Sequence, residues 1–295
     1  MPHPSLFLFC LILCLNAGLI AQEIEFSEFK IYSTEQQQTL TPQELLEDIA
    51  EVDVLFFGEE HDDNLGHWIQ DTLYRMILQA YGSTTLSLEM FETDCQLVLD
   101  EYLADLITEE RLIKDGRAWK NYKKAYRPLV ETAKTQGQAV IAANAPRRYV
   151  KLVSRKGLDA LSQLTKSAQQ YLPPLPIFTA DSGYYRRFKE AMGEFGHQMR
   201  DNVYHAQCTW DASMAYRIFR HWRKHKQELI FHLNGRFHTD YQQGTFAQLQ
   251  SLHKKIKLKN ISCFPADDYD QPDWSVYAQQ GDYIILSQSR EEKDE

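Results

Sequence analysis

Residues 52–61 read Val52-Asp53-Val54-Leu55-Phe56-Phe57-Gly58-Glu59-Glu60-His61. Val54 to Phe57 is an apolar, β-branched and aromatic run of strand length without polar alternation. That is the pattern of a strand buried on both faces, as in parallel sheets covered by helices. Gly58 ends the run, and Glu59, Glu60, His61, Asp62 and Asp63 follow at once. Asn64 is then the expected N-cap of a helix whose residues Leu65, Trp68, Ile69, Leu73, Met76 and Ile77 share an apolar face. An acidic-plus-imidazole cluster therefore falls on a strand-to-helix turn, where open α/β sheets bind ligands.

Working outward, four more stretches have strand character: Thr84–Glu89, Gln138–Ala143, Leu229–Leu233 and Lys257–Phe264, with Tyr283–Leu286 a fifth. Helical patterns lie between them. Thr93 or Asp94 is the expected cap after the second strand, and residues 108–136 read as helix broken at Asp115-Gly116 and near Pro128. Trp119, Tyr122 and Tyr126 form a stripe at helical spacing, read as core packing. Residues 153–200, with Pro173, Pro174 and Pro176, read as a helical insertion. A long helix from about Met199 to Lys226 carries one polar residue, Gln207, on an apolar stripe. A buried amide there must be satisfied by neighbours or reach a site. The Gln-rich stretch from Glu23 to Glu47 offers only a helix start at Thr41-Pro42-Glu44. These elements predict an α/β fold, a mostly parallel central sheet flanked by helices, with a helical insertion.

The chain has 295 residues, 43% of them hydrophobic and 12% aromatic, enough for a full core. Its net charge of −9 argues against nucleic acid as a partner. Leu6 to Leu15 is apolar but too short to span a membrane. Followed by Ala17, Gly18 and Ala21, it predicts a cleaved signal peptide over residues 1–21 and an exported protein, periplasmic or associated with the cell surface. One domain over residues 22–295 is expected beyond it, ending in a charged tail at 290–295. Cys14 is a weak lipid-attachment site behind Leu13, so membrane association stays open. Beyond the signal, Cys95, Cys208 and Cys263 are odd in number and unpaired in spacing, which excludes a disulfide framework and a thiolate zinc site.

Four strand ends deliver polar groups: Glu59 with His61, Glu89, Asn144 with Arg147, and Arg236 with His238. In a parallel sheet these tips meet at one edge. Two share a Gly-x-x-His pattern, Gly58 to His61 and Gly235 to His238, in which the glycine is expected to let the chain turn sharply. Two imidazoles with carboxylates suit a divalent transition metal or an acid/base pair. His67, His221, His225 and His253 read as solvated helix residues.

The ordered pieces Gly58-Glu59-Glu60-His61, Leu88-Glu89-Met90-Phe91, Trp119 to Pro128, Asn144-Ala145-Pro146-Arg147, Gln207 with Asp211, Met214 and Ala215, and Gly235-Arg236-Phe237-His238 resemble a known family. It is that of the ChaN-like, iron-regulated haem-binding uptake proteins, within the Tiki/TraB/erythromycin-esterase-like superfamily. The resemblance implies an exported haem- or iron-binding protein. Haem wants an apolar slot, an axial His or Tyr and cations for its propionates. Tyr184, Tyr185, His197, Tyr204 and His205 are the candidate axial ligands, with Arg147, Arg186 and Arg187 as propionate partners. Asn144, Arg236 and Gln207 are further candidate ligand contacts. The superfamily's enzymes imply the alternative, a metal-dependent hydrolase with His61 and His238 on the metal and Glu59 and Glu89 as catalytic carboxylates. The expected partner is haem or another small molecule, with a homodimer left open.

Overall fold

A computed structural model describes residues 28–179, 181–194 and 200–288. The expected signal peptide, the charged tail and His197 lie outside them. Eight strands, β1 (Phe29–Ser33), β2 (Gln38–Leu40), β3 (Val54–Glu59), β4 (Thr84–Glu92), β5 (Val140–Asn144), β6 (Leu229–Gly235), β7 (Leu258–Ala266) and β8 (Tyr283–Gln288), form one sheet. Their order is β2-β1-β8-β7-β3-β6-β4-β5. From β8 to β5 every pairing is parallel, and β1 and β2 add an antiparallel edge. The expected α/β class is the observed one.

The lack of alternation in β3 has its cause in two covered faces. Leu55 and Phe57 pack with Ile69, Leu73 and Ile77 of helix Asn64–Tyr81. Val54 and Phe56 point the other way, onto Ala215, Ile218 and Trp222 of helix Asp201–Trp222 and Phe246 of helix Gly244–Leu252. Each such side chain contributes about 1.5–3 kcal/mol when fully buried. Beside β5, a third apolar cluster joins helix Arg147–Lys156, helix Ser182–Ala191 and the start of helix Asp201–Trp222 through Val150, Val153, Tyr184, Phe188 and Tyr204. The region expected as a helical insertion supplies much of that cluster.

Several local expectations need correction. The helix after β3 is capped by Asp63, whose Oδ1 accepts from Leu65 N at 3.0 Å, and not by Asn64. Trp68 is 40% exposed and packs edge-on against Phe29 of β1. Its neighbours His67 and Gln70 are buried in its stead, because the first turns of this helix face the buried carboxylate of Glu59 and not apolar core. Neither Thr93 nor Asp94 caps helix Gln96–Leu103; Asp94 pairs with Arg117 and Arg148. Strands β1 and β2 fall where only a helix start was expected. That start is present, with Thr41 and Glu44 closing a capping box. Cys95, Cys208 and Cys263 are free and buried. No helix among the described residues is long and apolar enough to cross a membrane.

Candidate functional site

Strands β3 and β6 lie side by side at the centre of the sheet, with Gly58 opposite Asn234 and Glu59 opposite Gly235. The two glycines serve close approach. A Cβ on Gly58 would stand 2.8 Å from Arg236 Cα, and one on Gly235 would stand 2.8 Å from His61 Nε2. Each glycine thus makes room for the residue that leaves the partner strand. The expected sharp glycine turn is absent, since Gly235 has φ −58 and ψ 131, which any residue adopts.

His61 belongs to a group gathered on Glu59. The Glu59 carboxylate has no exposed side-chain surface, and its Oε1 accepts from Tyr126 OH at 2.6 Å and lies 2.9 Å from His61 Nδ1. His67 Nδ1 stands 3.3 Å from Oε2, and His67 Nε2 is 3.1 Å from the His61 carbonyl. Burial pushes the Glu59 carboxyl up, yet the hydrogen bonds of His61, His67 and Tyr126 outweigh it and hold it below its ordinary value. His61 and His67 are both raised, burial being outweighed by the Glu59 carboxylate. His61 Nε2 has no hydrogen-bond partner among the described residues, and the ring is 45% exposed.

His238 belongs to a second, more deeply buried group. Its Nδ1 is 2.7 Å from Asp211 Oδ1 and its Nε2 3.5 Å from Glu89 Oε1. Asp211 also accepts from Thr245 Oγ1 and Tyr184 OH, both at 2.9 Å, and Glu89 Oε2 accepts from Gly235 N at 2.7 Å. Gln207 Nε2 donates to Tyr184 OH at 3.0 Å and lies 3.2 Å from His238 Nδ1, so the amide NH2 finds its acceptor within the site. Burial pushes Glu89 up, but His238, His61 and the Gly235 N–H bring it down to about 2. Burial likewise pushes His238 down, and the two carboxylates raise it to about 10.

These shifts fix a pH profile. Glu89 contributes its stability in full above its ordinary 4.5 and loses it as pH falls toward about 2. His238 contributes fully below its ordinary 6.5 and loses its share as pH rises toward about 10. Denaturant unfolding should therefore show greatest stability between those limits, and His238→Gln should flatten the alkaline decline. An alkaline limb identical in wild type and variant would show that His238 is not charged in the fold.

Both groups open onto one cleft of about 660 Å3 beyond the carboxyl ends of β3 and β6. Glu59, His61, Gln207, Arg236 and His238 line it, as do Arg187, Phe188, Met192, Phe237 and Tyr241. Glu89 reaches the group through His238. Arg236 pairs with Glu60 at 3.2 Å and Asp240 at 2.9 Å. The other sequence candidates lie elsewhere. Asn144 accepts from Ala145 N at the tip of edge strand β5, and Arg147 stands 4.0 Å from Glu92. Tyr185, bonded to Asp201, and His205 line a separate hollow together with Tyr204. Sequence reasoning gave no site role to Tyr126 or His67, and none to Asp211 beyond its motif. Asp211 follows Gln207 by one helical turn on the same face, and that pair of polar residues was the available signal.

The family described as "Haem-binding uptake, Tiki superfamily, ChaN" matches residues 45–249, more than half of the chain. The chain belongs to this family. ChaN of Campylobacter jejuni, a protein with cofacial haem binding, superposes with a TM-score of 0.67 at 17% identity, covering 88% of this chain and 97% of that one. An erythromycin esterase mutant in its open conformation follows at a TM-score of 0.48 and 11% identity, covering 80% and 77%. That second likeness is too slight to bear on function. No curated protein matches the chain. The ChaN match covers both Gly-x-x-His arms, Glu89 and Asp211.

Proposed function

We propose that this ChaN-family protein is exported, in keeping with its N-terminal apolar run, and binds haem or its iron in the cleft beyond β3 and β6. The observation that carries the reading is His61. A metal-ligating histidine normally has its other ring nitrogen oriented by a carboxylate. Here Glu59 holds Nδ1, while Nε2 is unpartnered among the described residues.

The other requirements of haem are met by residues of the same cleft. Phe188, Met192 and Phe237 form an apolar wall, and the volume falls within the range of small-molecule sites. Arg187 lies 4.4 Å over the Phe237 ring and 4.9 Å over that of Tyr241, and its buried Nε has no partner. Its Nη1 and Nη2 donate to the carbonyls of Asp240 and Phe237, so it would take a propionate by exchanging one of those bonds. Tyr241, 43% exposed with φ 61, is the second side chain able to serve as axial ligand. Haem would supply the redox-active iron, and these residues bind and orient it.

Cofacial binding, as named for the Campylobacter relative, brings two haems face to face. A second copy of this chain would supply the second site, so a homodimer belongs to the reading. The metal-dependent hydrolase finds less support. Among the described residues, the three-ligand arrangement within 4.8 Å is His221, His225 and Glu228, and does not include His61 or His238.

Haemin titration of the purified protein is the test. A saturable Soret shift is expected, weakened about tenfold or more in His61→Ala. A wild-type spectrum indistinguishable from free haemin would end the proposal. Equal affinity in His61→Ala together with loss in Tyr241→Phe would move the axial role to Tyr241.

A further inference from the structure

Helix Asp201–Trp222 ends near the amino ends of β4 and β6, opposite the cleft. Gly235 lies seven positions beyond Glu228 along β6, about 23 Å at ~3.3 Å per residue. At this end His221, His225 and Glu228 each present one ligand atom, and the three atoms lie within 4.8 Å of one another. We propose that they form a second site, one for a divalent transition-metal ion of the Zn2+ class. The proposal is independent of the haem reading.

The local sequence explains the convergence. His221 and His225 are four residues apart on one helical face, and their rings stack with centroids 4.3 Å apart and planes 11° from parallel. The chain then turns, and Glu228 arrives directly before β6. Its Oε2 stands 3.2 Å from His221 Nε2 and its Oε1 3.2 Å from His225 Nδ1. Thr85, at the start of β4, donates to Glu228 Oε2 at 2.7 Å and lies 2.8 Å from His221 Nε2. Thr85 thereby bridges the two groups, and its hydroxyl must swing away from His221 Nε2 for a metal to take that nitrogen. The expectation that these histidines are merely solvated fails for His221, which is partly buried.

Two imidazole nitrogens and one carboxylate oxygen are a donor set suited to Zn2+, Ni2+ or Cu2+. Metal–ligand bonds of about 2.0–2.2 Å require donors roughly 3.3–3.5 Å apart in a tetrahedron. His221 Nε2 is 3.2 Å from Glu228 Oε2 and His225 Nδ1 is 3.2 Å from Oε1, so each imidazole already stands near that spacing from one carboxylate oxygen. His225, 44% exposed, is free to rotate for the remainder, and water can complete the shell. The adjoining hollow carries Arg217, Arg220 and Lys224. Their positive charge opposes a cation, so micromolar affinity is expected and not that of a closed structural zinc site.

The test uses the full chain, stripped with chelator and titrated with ZnCl2 by calorimetry and with Co2+ by visible absorption. One equivalent is expected in wild type and equally in His61→Ala, with a cobalt spectrum of imidazole and carboxylate ligation. His225→Ala, at a half-exposed position that leaves folding intact, should weaken binding about tenfold or more. Glu228→Gln, which keeps the shape and removes the charge, should do likewise. If Glu228→Gln does not fold, His225→Ala decides alone. Unchanged binding in His225→Ala, a bound equivalent lost only in His61→Ala, or no wild-type binding below about 0.1 mM would each overturn the proposal.

Discussion

Replacing Asp211 by alanine is expected to cost the fold roughly 3–5 kcal/mol, the range for breaking a buried ion pair from one side. Asp211 has no exposed surface, and its two oxygens serve three partners: His238 Nδ1, Thr245 Oγ1 and Tyr184 OH. Alanine leaves the hydroxyls of Thr245 and Tyr184 buried and unpaired, each at a desolvation cost of about 1–3 kcal/mol. It also removes one of the two carboxylates that keep His238 protonated. The melting temperature should fall by roughly 6–20 °C, at ~2–4 °C per kcal/mol for a chain of this size. Asp211→Asn retains the shape and one acceptor, so its loss should be smaller. A denaturation curve for Asp211→Ala within about 1 kcal/mol of wild type would mean that His238 finds full compensation from Glu89, and that the buried array is not held together by Asp211.

Much of the fold was legible because covered strands advertise themselves. The unbroken apolar run at Val54–Phe57 needs both faces covered, and Tyr283–Leu286 carries the same signature, whereas β4, β6 and β7 also bury polar residues such as Ser87, His232 and Asn260. Strands β1 and β2 lacked it. Phe29 and Ile31 alternate with Lys30 and Tyr32, and β2 is three residues with one buried side chain. Such edge strands are marked by pairing more than by composition. Within the site, Glu59, His61, Glu89 and His238 could be read because they leave strand ends. Asn144 and Arg147 also leave a strand end, yet β5 lies three places from β3, about 14 Å across the sheet at ~4.8 Å per strand. Strand order is not written in any local pattern. The Tyr126 stripe was read as packing, and the ring is indeed buried. Its hydroxyl nevertheless reaches Glu59, 67 positions away in the chain, a pairing that periodicity does not encode.

Gly235→Val should expel the His61 imidazole from its seat, and with it most of the haemin affinity. The new Cβ would stand 2.8 Å from His61 Nε2 and 2.9 Å from Cε1, closer than real Cβ contacts allow. Overpacking of this kind costs about 1–3 kcal/mol. The imidazole, 45% exposed, has solvent to move into, so the chain should still fold while the bond from Glu59 to Nδ1 is lost. Haemin affinity should then fall to the level of His61→Ala. The double variant Gly235→Val/His61→Ala should bind no worse than either single one, because both remove the same ring. It should also be more stable than Gly235→Val alone, since deleting the imidazole relieves the clash. Gly58 supplies the contrast. A Cβ there meets the Cα of Arg236 at 2.8 Å, so no side-chain deletion across the strand pair can relieve Gly58→Val. Equal stability of Gly235→Val with and without His61 would show that the valine is accommodated by a shift of β6, and that His61 does not owe its position to the glycine opposite.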